Sequence, residues 1–148
     1  MTSRSKWVYA ITLVAFSIGL FGLLASCANG LSGGGGTITI RLTGAGDLSG
    51  KPFLGGVVYA GTSEVVGLNL EYITAGGTLE IMMLDTATMT TPVIFTNGVS
   101  YGVLGTIDTD ENFGVSSGDY IPTQLKYVEV AGDMVVEFAY PQDFTVVP

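Results

Sequence analysis

Apolar and polar residues alternate along most of the chain after residue 36, with the period of two that half-buried β-strands show. The clearest alternating segments are 37–42, 68–72, 79–83 and 134–140. Valine, isoleucine, threonine and tyrosine dominate these segments, and these residue types favour extended backbone. No segment after residue 36 repeats its apolar positions with the 3.6-residue period of an α-helix. The pattern therefore predicts an all-β fold.

A turn signal at Asn97-Gly98 separates two of the apolar segments. The dipeptide lies between residues 93–95 and 99–101. It favours a two-residue β-hairpin, because both central positions of the turn need positive φ and these two residue types accept it. We therefore predict that the two flanking strands pair with each other.

A second predicted hairpin lies at residues 131–133, which are Ala-Gly-Asp and would join 125–130 to 134–140. Many further glycines separate the remaining apolar segments. Roughly seven or eight strands at this spacing are typical of a sandwich of two antiparallel sheets. We predict one antiparallel β-sandwich domain over residues 37–148.

The N-terminal region has a different pattern. Arg4 and Lys6 precede an apolar run of 18 residues, 7–24, that contains no charged side chain. A short cationic segment followed by such a run is typical of a secretory signal, which forms a helix during export and is then removed. Two alternatives are an uncleaved membrane anchor, since 18 residues is near the lower limit for a span, and an ordinary signal-peptidase site.

The residues after this run are Leu24-Ala25-Ser26-Cys27, and they resemble the bacterial lipobox. The resemblance implies that residues 1–26 are a lipoprotein signal peptide. It also implies that Cys27 carries a diacylglycerol and, on its new amine, a further acyl chain such as palmitate. Two or more such chains hold a protein stably on a bilayer. The expected partner is therefore the lipid bilayer, and the expected location is the cell envelope.

Residues 27–36 follow the cleavage site and end in four consecutive glycines, Gly33 to Gly36. Glycine-rich segments behave as flexible coils, so we predict that residues 27–36 are a tether. Ala28 stands where an aspartate would retain a Gram-negative lipoprotein at the inner membrane. This favours the outer membrane if the cell is Gram-negative.

Composition narrows the possible functions. After residue 26 the chain has three basic residues and 13 acidic ones, a formal net charge of −10. Such a charge repels nucleic acid and attracts cations and basic surfaces, so we predict no nucleic-acid partner. Cys27 is the only cysteine, so a lipidated chain has neither a disulfide nor a reactive thiol.

Histidine is absent from the whole chain. Its absence excludes a Ser-His-acid triad and histidine-ligated zinc or copper. Pairs of carboxylates could still hydrolyse glycosidic bonds if held at the right separation. The candidates for such a pair are Glu64, Glu71, Glu80, Asp85 and Glu137. Most of them lie at alternate strand positions, where a solvated polar face is expected, and we predict that the protein is not an enzyme.

Residues 108–119 form the segment with the most evident chemistry. Counted from residue 108, side chains with oxygen atoms occupy positions 1, 3, 5, 9 and 12, which with a carbonyl at position 7 are those of an EF-hand loop. The six predicted ligands are Asp108, Asp110, Asn112, Ser116, Asp119 and, through its backbone carbonyl, Gly114. The spacing predicts a site for calcium, which prefers six to eight oxygen ligands.

The segment departs from the EF-hand pattern in three ways. Phe113 occupies position 6, where that pattern has glycine, and Asp119 replaces the usual glutamate at position 12. The flanking residues are typical of strands and not of helices. The alternative interpretation is a solvated acidic loop that needs no ion.

The segment 101–138 also resembles prealbumin-like and carboxypeptidase-regulatory-like domains. The residues that carry the resemblance are a strand ending in Ile-Asp-Thr-Asp, then Ser-Gly-Asp-Tyr, and a closing strand with Val-Val-Glu-Phe. The resemblance implies a seven-stranded sandwich and a non-catalytic role, and it implies no ligand.

These observations favour a membrane-anchored binding or structural module that contacts an unknown protein or glycan. One alternative is a carboxylate-based hydrolase of envelope glycans. Another is an architectural subunit that assembles by strand addition, for which the C-terminal segment 144–147 would supply or cap an edge.

Overall fold

The structure is a computed structural model, and it describes residues 34–148. This part of the chain contains eleven β-strands and a 3₁₀ helix at Gly46–Leu48. The strands are β1 (Gly35–Gly36), β2 (Ile38–Thr43), β3 (Pro52–Tyr59), β4 (Val65–Tyr72), β5 (Leu79–Met82), β6 (Phe95–Thr96), β7 (Ser100–Ile107), β8 (Tyr120–Pro122), β9 (Lys126–Glu129), β10 (Met134–Ala139) and β11 (Phe144–Val146). The all-β prediction is confirmed. Within this range no helix has the length and apolar character to cross a bilayer.

The strands form two main sheets and one short pair. One main sheet has three strands in the order β10-β2-β5, and the other has the order β11-β8-β7-β3-β4. β9 joins the larger sheet as a sixth strand, because it pairs with the start of β7 while β8 pairs with its end. β1 and β6 form the separate two-stranded pair. The predicted β-sandwich is confirmed.

Alternation along β2 explains how the two main sheets pack. Ile38, Ile40 and Leu42 are fully buried, whereas the residues between them are partly exposed. Opposite them in β3, Gly55 comes so close that a Cβ there would lie 2.6 Å from Ile81 Cδ1 and 2.9 Å from Ile40 Cδ1. Only glycine therefore permits this approach of the sheets.

One strand pair departs from the predicted antiparallel arrangement. β10 pairs with β2 in parallel, from Met134 opposite Ile38 to Ala139 opposite Thr43. The other paired strands in residues 34–148 are antiparallel. Parallel neighbours are joined by a crossover connection and not by a short hairpin. The chain reaches β10 from β9, so it crosses here from the larger sheet to the smaller one.

The hairpin prediction at Asn97-Gly98 is wrong, although the turn itself forms. Gly98 has a φ of 74°, and the Val99 N–H donates to the carbonyl of Thr96 at 3.3 Å. The flanking strands nevertheless separate, because β6 pairs with β1 whereas β7 pairs with β3, β8 and β9. The turn thus links the short strand pair to the larger sheet.

The hairpin prediction at residues 131–133 is wrong for a similar reason. β9 pairs with β7 in the larger sheet, whereas β10 pairs with β2 in the smaller one. Asp133 helps to direct β10 there, because its carboxylate accepts hydrogen bonds from the Thr37 N–H and hydroxyl, both at 2.9 Å. Contacts distant in sequence therefore override the local turn signal.

The end of the predicted tether also differs from expectation. Gly35 and Gly36 form strand β1 and pair with Thr96 and Phe95. A Cβ at Gly36 would overlap the carbonyl of Gly132, so this glycine allows a close backbone approach. The ordered domain thus begins before residue 37. The predicted signal peptide and signal helix, residues 1–26, and the lipidated Cys27 lie outside the described residues.

Candidate metal centre

The acidic loop connects β7 to β8 at one end of the larger sheet. Ile107 at the end of β7 is paired with Tyr120 at the start of β8. Asp108 follows the first of these residues and Asp119 precedes the second, so strand pairing brings the two carboxylates to the base of the loop. Ten residues lie between these two aspartates in the sequence, and the sheet places them side by side.

Asp108, Asp110 and Asp119 form one cluster. One carboxylate oxygen from each lies within 4.8 Å of the others. Asp119 is fully buried and Asp108 is 5% exposed, whereas Asp110 faces solvent. The predicted convergence of these three carboxylates is present in the structure.

Four hydrogen bonds hold the carboxylate of Asp119 in place. Its Oδ1 accepts from the Thr109 N–H at 2.7 Å and from the Thr109 hydroxyl at 3.1 Å. Its Oδ2 accepts from the Ser116 N–H at 2.7 Å and from the Ser116 hydroxyl at 3.2 Å. Hydrogen bonds from backbone amides to a carboxylate are charge-assisted and compensate its burial.

Asp108 is held by the opposite side of the loop. The Glu111 N–H donates to its Oδ1 and the Phe113 N–H donates to its Oδ2, both at 2.7 Å. Both donor residues adopt left-handed backbone, with φ of 61° for Glu111 and 58° for Phe113. The position where an EF-hand has glycine thus keeps a left-handed conformation here, and the Phe113 side chain is 65% exposed.

Asp110 lies at the solvent side of the cluster. Its Oδ2 accepts from the Ser116 hydroxyl and from the Asn112 side-chain amide, both at 2.8 Å. The Ser116 hydrogen bond is the main cause that holds the pKa of Asp110 below its usual value, and the Asn112 N–H adds to it while partial desolvation opposes it. Asp110 therefore remains charged under ordinary conditions.

The other predicted ligands are placed less directly. The Ser116 hydroxyl lies between two of the carboxylates, where its oxygen can reach an ion. Asn112 turns its nitrogen toward Asp110, and its Oδ1 accepts from the Gly114 N–H at 2.7 Å. The Gly114 N–H is thus used within the loop, and ligation through the Gly114 carbonyl stays a prediction. Ligation by Asn112 requires rotation of its side-chain amide, so that the oxygen takes the place of the nitrogen beside Asp110.

Within the described part of the chain, no basic side chain pairs with the three carboxylates of the cluster. Lys51 Nζ is 2.9 Å from Glu111 Oε1, on a different carboxylate of the loop. Among residues 34–148, no ion pair involves Asp108, Asp110 or Asp119. Carboxylate and hydroxyl oxygens in this arrangement suit a hard divalent cation, and such an ion would relieve the mutual repulsion of the three charges.

Two supports of the site were missed in the sequence. Thr109 donates twice to Asp119, but the ligand spacing of an EF-hand assigns its position no role. The C-terminal segment also holds the loop: the Gly118 N–H donates to the Val147 carbonyl, and the Val147 N–H donates to the Asp119 carbonyl, both at 2.8 Å. No local pattern marks such a contact between distant segments.

The carboxylates considered for catalysis have other contacts. Arg41 lies on the outer face of the smaller sheet, where its Nε is 2.6 Å from Glu80 Oε1 and its Nη1 is 3.8 Å from Glu137 Oε2. Asp85 accepts from the N–H groups of Ala87 and Thr88 at 2.9 Å and 3.0 Å, so it stabilises its own turn. These three carboxylates thus form ordinary surface and turn interactions.

Comparison of the chain with protein-family models, curated proteins and solved structures finds no match. The resemblances to a lipoprotein leader and to a prealbumin-like domain therefore stay predictions from the sequence. The all-β sandwich and the acidic cluster rest on the structure itself.

Proposed function

We propose that this protein is a non-catalytic binding or structural module of the cell envelope, anchored through Cys27 and stabilised by calcium at residues 108–119. The observation that carries the calcium proposal is the convergence of the Asp108, Asp110 and Asp119 oxygens within 4.8 Å. The module would contact another protein or a glycan.

Calcium fits the donor set better than other common cations. The available atoms are all oxygens, which disfavours zinc and copper, and the loop has no histidine or cysteine. Magnesium demands near-ideal octahedral geometry at about 2.0–2.1 Å, whereas calcium accepts irregular sets of six to eight oxygens. Asp108, Asp110, Asp119 and Ser116 would hold the ion, with backbone carbonyls and water completing its shell.

The hydrogen bonds to Asp108 and Asp119 indicate what the ion would do. They already arrange the loop around the two buried carboxylates, so binding would mainly remove repulsion and restrict the solvent-facing part near Asp110. Extracellular modules of this kind bind calcium with Kd near about 10⁻⁴–10⁻³ M. We therefore propose a structural role in which calcium makes the loop rigid.

The position of the loop suits an anchored module. Gly34 precedes β1, which pairs with β6. The Asn97-Gly98 turn joins β6 to β7, so Gly34 lies near Ser100 at the start of β7. The acidic loop follows the other end of β7, eight residues later, at a distance of roughly 26 Å. A lipid attached at Cys27 would thus leave the loop at the end of the sandwich that faces away from the bilayer.

Calorimetric titration of the chain lacking residues 1–27, with calcium and separately with magnesium, tests the calcium proposal. We expect calcium binding with one site and a dissociation constant below about 1 mM, and much weaker heats with magnesium. Asp108→Ala should abolish binding, because it removes one of three clustered carboxylates. Glu129→Ala is the matched control, since this exposed carboxylate lies at the opposite end of the larger sheet. Equal heats for both metals, or unchanged binding in Asp108→Ala, would show that the loop is an ordinary solvated acidic loop.

A further inference from the structure

The two edges of the smaller sheet carry backbone groups that no neighbouring strand pairs with. Within residues 34–148, β10 and β5 are the outermost strands of this sheet, on either side of β2. An edge strand presents a row of N–H and C=O groups, and a strand of another chain can add to the sheet through them. Whether such an edge is open therefore depends on how many of these groups other parts of the chain already bind.

Alternate residues of β10 direct their backbone groups away from β2. The Met134 N–H donates to the Thr37 carbonyl, just before β2, at 2.9 Å, so Met134 and every second residue after it face β2. The residues between them present six backbone N–H and C=O groups to the free side. These residues are Val135, Glu137 and Ala139.

Three of these six groups are bound by side chains or loop backbone of the same chain. Lys126 Nζ donates to the Glu137 carbonyl at 2.5 Å. Asp143 Oδ2 accepts from the Ala139 N–H at 2.8 Å, and the Asp143 N–H donates to the Ala139 carbonyl at 2.9 Å. Lys126 Nζ also donates to Asp143 Oδ2 at 2.7 Å, so the two residues cap the second half of the edge together. An added strand would find only the Val135 N–H and C=O and the Glu137 N–H.

Lys126 reaches this edge from the inner face of the larger sheet. It lies opposite Val103, which is fully buried in the core, and residues directly opposite each other in a sheet share a face. The side chain therefore starts between the two sheets, and its ammonium nitrogen lies 4.7 Å from the centre of the Phe138 ring. A strand added to β10 would have to displace this ammonium from the Glu137 carbonyl and from Asp143.

A second polar side chain acts in the same way at the edge formed by β5. The Met82 backbone faces away from β2, because the Met83 N–H donates to β2 at 3.0 Å. Asn69 Nδ2 donates to the Met82 carbonyl at 2.8 Å. Asn69 lies in β4 opposite Gly55, so it too extends from the inner face of the larger sheet. The next outward residue, Leu84, pairs with β4 through both its N–H and its carbonyl.

We propose that Lys126, together with Asp143, and Asn69 keep the two edges of the smaller sheet closed to strands of other chains. The β10 edge needs this protection, because residues 134–140 combine valine and aromatic side chains with a single charge. Segments of that composition pair readily with other strands, and a lysine at a sheet edge counteracts such pairing. The proposal argues against assembly by strand addition at either of these edges.

Amide hydrogen exchange of the full chain in a non-ionic detergent, at protein concentrations between about 1 and 100 μM, tests the proposal. In the unsubstituted chain, the Val135 and Glu137 amides should exchange rapidly at every concentration. In Lys126→Met, exchange at these two amides should slow by about tenfold or more as the concentration rises, because a strand of a second molecule would pair with the freed edge. Sedimentation velocity of the same samples should show the matching association.

Arg41→Met is the matched control. It also replaces a cation with methionine, but Arg41 lies in the central strand β2 and points to the outer face, so both edges should stay closed. Asn69→Ala is a second test variant, which leaves the net charge unchanged and frees the Met82 carbonyl. Exchange of the Glu80 and Met82 amides should slow in this variant as the concentration rises. Circular dichroism checks that each variant is folded, and Asn69→Ala carries the test if Lys126→Met is not.

Three results would overturn the proposal. Rapid exchange at all concentrations in a folded Lys126→Met or Asn69→Ala would show that the substituted residue does not close its edge. Slowed exchange at Val135 and Glu137 in the unsubstituted chain would show that the β10 edge is open already. Equal association of Arg41→Met and Lys126→Met would attribute the effect to the lost charge. None of these results depends on calcium, so this proposal and the calcium proposal can fail separately.

Discussion

Replacing Asp119 with alanine should destabilise the fold far more than replacing Asp110, although both belong to the same acidic cluster. The Asp119 carboxylate is fully buried and accepts four hydrogen bonds, two from backbone N–H groups and two from hydroxyls. Alanine would leave the Thr109 and Ser116 N–H groups without this acceptor. An unsatisfied buried donor costs about 1–3 kcal/mol, so the loss of the acceptor for these two N–H groups should lower the free energy of unfolding of Asp119→Ala by about 2–6 kcal/mol.

The comparison with Asp110 separates burial from charge. Asp110 accepts mainly from two side-chain groups, those of Asn112 and Ser116, which can turn to water when the carboxylate is removed. The change in charge is the same in both variants. We therefore expect a much smaller loss for Asp110→Ala than for Asp119→Ala.

Urea unfolding in the presence of a chelator measures both variants without a contribution from bound metal. Far-UV circular dichroism is the appropriate signal, because the only tryptophan, Trp7, lies in the predicted signal peptide. The reasoning would be refuted if the two variants lost similar free energy, or if Asp119→Ala had the same urea midpoint as the unsubstituted chain. Either result would mean that the four hydrogen bonds do not contribute to stability as their geometry indicates.

Two further predictions concern regions outside the loop. Lys126 Nζ donates to Asp143 Oδ2 at 2.7 Å, and this hydrogen bond holds the pKa of the Asp143 carboxyl below its ordinary value of 3.8. The charged carboxylate therefore stabilises the fold at any pH above 3.8. This contribution is lost as the pH falls through the lowered pKa that Asp143 has in the folded protein. Urea midpoints measured between about pH 5 and pH 2 should therefore fall less steeply in Asp143→Asn than in the unsubstituted chain, and parallel curves would contradict the assignment. Gly55→Ala should lower the free energy of unfolding by about 1–3 kcal/mol, because the new Cβ would lie 2.6 Å from Ile81 Cδ1 and 2.9 Å from Ile40 Cδ1. An unchanged thermal midpoint in this variant would show that the two sheets can move apart freely.

The acidic loop shows how far ligand spacing alone can predict a site. The ligand spacing predicted that Asp108, Asp110 and Asp119 lie together, and they do. They converge because the two strands that flank the loop pair with each other and close it. The spacing did not predict the double hydrogen bond from Thr109, which depends on how the loop folds back on itself. The orientation of Asn112 was also beyond it, since spacing places a residue but does not decide which end of its amide faces the cluster.

The two incorrect hairpins have a related explanation. Asn97-Gly98 is a good turn sequence, and a turn forms there. A turn residue limits only the local backbone, whereas the partner of each strand is selected by the apolar surface and hydrogen bonds that it can reach. In the second case, Asp133 reaches Thr37, which is 96 residues away in the sequence.

The sequence by itself determined the features of this protein that depend on neighbouring residues. Alternation along 37–42 and 134–140 was sufficient for the all-β fold, because side chains of a strand point alternately to its two faces. The spacing of acids in 108–119 was sufficient to identify the loop. Only the tertiary structure decided the parallel pairing of β2 with β10, the strand at Gly35–Gly36 and the close approach of the two sheets at Gly55. These features arise where distant segments pack together, and the free energy of that packing depends on the whole arrangement of the sheets.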